Sequence, residues 1–91
     1  MKPASMFQEF EQIAEQLNIR IMQEKGNFNG GYCLLEEKRI IVVNKQKPIE
    51  QRVRALAQAF AKLDTSKIYL KPAIRELIET EDNSLQLSSV K

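Results

Sequence analysis

One short run and the helix behind it constrain this chain most. Arg39-Ile40-Ile41-Val42-Val43-Asn44 carries four β-branched residues in a row. Such side chains are already restricted at χ1 and suit a pleated strand. Successive side chains alternate between faces, so an unbroken apolar run predicts a strand covered on both sides. Pro48 lacks the N–H that a ladder needs and suits a helix start. Behind it Ile49, Val53, Leu56, Phe60 and Leu63 recur at spacings of four, three, four and three, which is one helical face. Ala55, Ala57, Ala59 and Ala61 raise helix propensity and keep the profile slim enough to pack closely on a sheet. A central strand over 39–44 and a core helix from Pro48 to Leu63 are therefore expected.

The remaining elements fall into place around these two. Ser5, with Gln8 three residues on, has the spacing of a capping box. Met6, Phe7, Phe10, Ile13, Ala14 and Leu17 follow at helical spacing, predicting a first helix over 5–17. Asn18 tolerates the left-handed conformation of a helix exit. Residues 19–24 read as a strand, and a turn-rich loop leads to Gly30-Gly31. A second strand runs from Tyr32 to Glu36, with a hairpin turn at 36–38. Residues 67–71 are extended before Pro72, which opens a last helix with Ile74, Leu77 and Ile78 inward. The expected fold class is α+β, three helices on a small three-stranded sheet in the order helix-strand-strand-strand-helix-helix. A single domain spans 1–80, and the acidic, serine-rich 81–91 is expected to be a frayed or disordered tail.

Composition matters mainly through what is missing. There is no histidine among the 91 residues, which removes the usual general base near neutral pH and the commonest metal ligand. Triads of the usual type cannot be built without it. A structural zinc site would need several Cys and His, and only Cys33 is present. No metal and no cofactor are expected, and the reading leans away from an enzyme. One cysteine fits a reducing cytoplasm. No apolar run of the roughly 18 residues needed to span a membrane is visible, and no signal peptide.

Several residue groups are candidates for a site. Gly30-Gly31 reads as a bulge or tight turn rather than an anion cradle, because no helix N-terminus follows it. Cys33, among apolar neighbours and without a base, reads as a buried structural thiol. Glu36 and Glu37 point to opposite sides of a solvated hairpin tip. Lys38, Arg39, Lys45, Lys47, Arg52 and Arg54 face only Glu50 between 38 and 54. That segment is a weak binding candidate for an acidic protein, or alternatively for phosphates. No aromatic residue is interleaved in it for base stacking. A third option is a carboxylate-metal enzyme using Glu76 and Glu79 with Asp64. Arg75 could pair with Glu79 one helical turn away.

The order helix, strand, Gly-rich loop, hairpin, long helix resembles the core of small zincin-type metallopeptidases, including those that cleave phage repressors. In that family the helix after the hairpin carries His-Glu-x-x-His, which holds zinc and supplies a general base. Alignment by flanking apolar residues places Gln58 and Lys62 at the histidine positions and Ala59 at the glutamate position. None of the three chemical residues is retained, so the resemblance implies a zincin-like core without metal or peptidase activity. Residues 10–79 also look like a group of short bacterial proteins of no established activity. The shared signals are Gly30, Gly31 and Cys33, a strand ending at Asn44, and the Pro72, Arg75, Glu76, Ile78 helix. The expectation is a non-enzymatic binding or regulatory module in a bacterial cytoplasm. Its partner would be another protein, with nucleic acid as the alternative, no membrane, and a homodimer where an open sheet edge needs covering.

Overall fold

The computed structural model describes residues 1–25, 32–35 and 37–89, and for 32–34 and 83–89 the backbone alone. The chain is α+β with three helices, in the order α1 (Pro3–Gln16), β1 (Arg20–Glu24), β2 (Tyr32–Leu35), β3 (Ile40–Asn44), α2 (Ile49–Ala61) and α3 (Pro72–Ser89). Strand β3 lies in the middle. It runs parallel to β1, with Ile21 opposite Ile41, and antiparallel to β2, with Leu34 opposite Ile41.

Helix α1 begins two residues before the expected Ser5. Lys2 is its N-cap residue without a side-chain bond, and Pro3 supplies the first turn. A proline there loses no hydrogen bond, because the first N–H groups of a helix have no internal acceptor. The helix ends where Asn18 turns left-handed, at φ 57°. Among the described residues Arg39 is the other non-glycine residue with positive φ, at 53°. Its guanidinium donates to the carbonyl of Leu17, and its Nε to Asn18 O at 3.3 Å. The side chain thus satisfies acceptors that the end of α1 leaves without helical partners.

The core forms on one side of the sheet. Ile41 and Val43 are fully buried and pack with Phe7, Phe10 and Ile13 of α1 and Val53, Leu56 and Phe60 of α2. Phe10 and Phe60 stack with centroids 5.4 Å apart. Ile40 and Val42, which alternation puts on the opposite face, are only half-buried. Among the described residues β3 is thus covered more completely on the helix side than on the other, where its unbroken apolar run predicts cover on both faces. The four alanines let α2 lie close: Ala55, Ala57 and Ala59 are buried on it. Helix α3 packs on α2 through Ile74 and Ile78, and Lys71 at its start reaches Glu9 of α1 at 2.7 Å.

Helix α3 runs on past Thr80, to Ser89. A tail starting at 81 would begin inside α3, at a residue whose side chain is buried against α2. Residues 26–31 and 36, which include Gly30, Gly31 and Glu36, lie outside the described residues, as does the side chain of Cys33.

Candidate functional site

The polar face of α2 is where the resemblance would place catalytic residues. Gln58 is half-buried there, and its Nε2 donates to Glu81 Oε1 at 2.9 Å. Glu81 comes from α3 and is 5% exposed. Arg54, one turn before Gln58, brings its Nε to 3.6 Å from the same oxygen. Spacing explains the trio, since residues four apart on α2 share a face and α3 crosses that face. Ala59 is completely buried and Lys62 exposed. So Gln58, Ala59 and Lys62 do not open on a common cleft. The first is closed over by α3, the second is core, and the third faces solvent.

Glu81 is the functional-looking residue that sequence reading missed. Thr80-Glu81-Asp82 carries no apolar periodicity, and the residue that holds Glu81 lies 23 positions away. A sharper signal was available: from Ile74, Ile78 lies one turn on, and Glu81 follows at the next inward position of the same stripe.

The six basic residues are not one patch. Lys38 and Arg39 precede β3, whereas Lys45 and Lys47 follow it, so the strand separates the two groups by roughly 16 Å. Arg39 caps α1, as described. Arg52 donates to Lys47 O at 3.0 Å and Gln23 Oε1 at 2.7 Å, and its guanidinium lies 5.9 Å from the Phe7 ring centroid. It ties α2 to β1 and α1, which is a structural task. Arg54 faces Glu81. Lys38, Lys45 and Lys47 remain as exposed cations.

Parallel pairing supplies a neighbour that linear reading did not count. Lys45 N–H bonds Glu24 O at 3.0 Å, which sets Lys25 beside Lys45. Lys25, Lys45 and Lys47 are all exposed at the C-terminal ends of β1 and β3, at the entry to α2. Glu24 and Glu50 in the same region moderate their field. Asn44 shapes this end: its Oδ1 accepts the Gln46 N–H at 3.0 Å, turning the chain sharply after the strand.

The acidic residues partly converge. Asp64 and Glu79 line one groove of about 400 Å³ with Thr65, Ser66 and Arg75, over a floor that includes Leu70 and Ile78. Glu76 lines the adjoining groove of about 220 Å³ with Tyr69 and Pro72. Ser66 donates both its hydroxyl, at 2.6 Å, and its N–H, at 3.0 Å, to Asp64 Oδ1. Those bonds, the hydroxyl first, hold the Asp64 carboxyl below the ordinary aspartate value. Among the described residues no three carboxylate or thiol groups come together as a metal site. Both grooves are shallow bays in an exposed surface.

Comparison with protein-family models, with curated proteins and with solved structures gives no match to this chain. No helix among the described residues is long and apolar enough to cross a membrane.

Proposed function

We propose that this chain is a non-enzymatic module that binds another protein, a metal-free relative in design of the zincin-like scaffold. The observation that carries the reading is the Gln58–Glu81 contact. On such a scaffold the working face of the helix must admit a substrate beside two ligands and a base. Here a buried carboxylate from α3 lies over that face, held by Gln58 with Arg54 beside it. What stays accessible is the end of the sheet bearing Lys25, Lys45 and Lys47. A cationic surface of this modest size fits an acidic protein segment, with charge setting encounter rate and orientation more than affinity.

The test is affinity capture from a cell lysate with the wild type and two variants. The reading expects a protein partner that survives nuclease treatment, is lost with Lys45→Glu/Lys47→Glu, and is kept by Gln58→Ala. Nuclease-sensitive capture with a steep salt dependence would replace it with the nucleic-acid reading. Loss of the partner in Gln58→Ala with Lys45→Glu/Lys47→Glu unaffected would place the working surface on α2 and overturn it.

A further inference from the structure

The outer edge of β1 is complementary to itself. In the parallel pair, Arg20 N–H bonds Arg39 O at 2.9 Å, and Glu24 O accepts from Lys45 N–H at 3.0 Å. With Arg20, Met22 and Glu24 opposite Ile40, Val42 and Asn44, these three residues direct both backbone groups towards β3. The alternate residues, Ile21 and Gln23, direct theirs away from it. Among the described residues no strand pairs with that side. Ile19 N–H is committed to Ala14 O at 2.8 Å, so the first residue with both groups free for an outer ladder is Ile21.

We infer that this edge pairs antiparallel with β1 of a second copy, about a two-fold axis at Met22. The register follows from two independent requirements. Hydrogen-bonding phase demands that Ile21 and Gln23 face Ile21 or Gln23 of the other copy, because only those residues have groups to exchange. A symmetric strand pair must also place each residue's partner in its own sequence, reflected through the axis. Centred on Met22, the reflection sets Arg20 opposite Glu24 and Glu24 opposite Arg20. Both side chains are exposed, and neither has an ion-pair partner among the described residues. These are non-hydrogen-bonded positions, where side chains across an antiparallel pair come closest. Half-buried Met22 meets its own copy between the two charge pairs, on the sheet face it shares with half-buried Val42. Shifting the axis to Ile21 or Gln23 keeps the phase but loses both Arg–Glu pairings and shortens the ladder. The result is one continuous sheet with the strand order β2-β3-β1-β1-β3-β2, which removes an exposed edge.

This inference goes beyond the binding reading and uses different residues, so either can fail alone. The test is independent of that reading: analytical ultracentrifugation of the full chain, of Glu24→Arg, and of Arg20→Glu/Glu24→Arg, with circular dichroism confirming that each is folded. Wild type is expected to dimerise. Glu24→Arg sets Arg against Arg twice in each dimer and should weaken association at least tenfold. The double exchange restores both pairs in reversed sense and should recover the wild-type constant to within about threefold. A wild type that stays monomeric at the highest soluble concentration overturns the inference. So does a dimer indifferent to Glu24→Arg, or a double exchange that fails to recover while remaining folded.

Discussion

Glu81 shows how a single buried carboxylate can close a surface. It accepts from Gln58 and faces Arg54, and these two contacts are unequal. The Arg54 side chain is 63% exposed, so its pairing is screened and is worth no more than about 1 kcal/mol. Removing Glu81 leaves the half-buried Gln58 amide without its acceptor, which costs about 1–3 kcal/mol. Urea unfolding should therefore show Glu81→Ala as clearly destabilising and Arg54→Ala as near neutral. Asn18 gives a second residue-scale test. At φ 57°, Asn18→Ala should cost about 1 kcal/mol, and Asn18→Gly almost nothing. A third concerns Asp64. Its carboxyl is stabilised as the anion in the fold, so its contribution is present above the ordinary aspartate value of about 4 and is lost as pH falls through the lower folded value. Ser66→Ala should move the Asp64 titration, followed by NMR, up towards that ordinary value.

At the scale of elements, what could be read from sequence and what could not divide along range. Helix α2 was legible because its apolar residues repeat with the helical period, and Asn18 was legible because its own chemistry selects the conformation it takes. The start of α1 was misread by competition between two local signals, since Ser5 is a sound cap but Pro3 had already opened the helix. The extent of α3 was hidden for a different reason. An acidic, serine-rich composition resembles a tail, whereas Glu81 is held by Gln58 from another helix. Ending the chain after Thr80 should therefore lower stability by at least about 1 kcal/mol, or about 4–8 °C in Tm for a domain of this size. A thermal melt that does not move would return 81 onwards to the status of a tail.

Across the whole molecule, the basic segment is the clearest case of linear proximity misleading. Between Lys38 and Lys45 the chain crosses the sheet, so cations adjacent in sequence end on opposite rims. Three arginines in the same stretch serve the fold instead: Arg39 at the end of α1, Arg52 between three elements, and Arg54 beside Glu81. Parallel pairing then adds Lys25 to the group at one rim, a juxtaposition no window along the chain contains. The hold of Glu81 on Gln58, together with this accessible rim and the proposed pairing edge of β1, is the physical basis for reading the molecule as a binder. The claim rests on Gln58 being held by Glu81 beneath α3, and the side-chain amide of Gln58 reports that directly. Its hydrogen exchange, followed by NMR, should be at least tenfold slower than that of exposed Gln46 and Gln51, and should accelerate to match them in Glu81→Ala. Equal exchange at all three glutamines in the wild type would mean that the face is open, and would contradict the account.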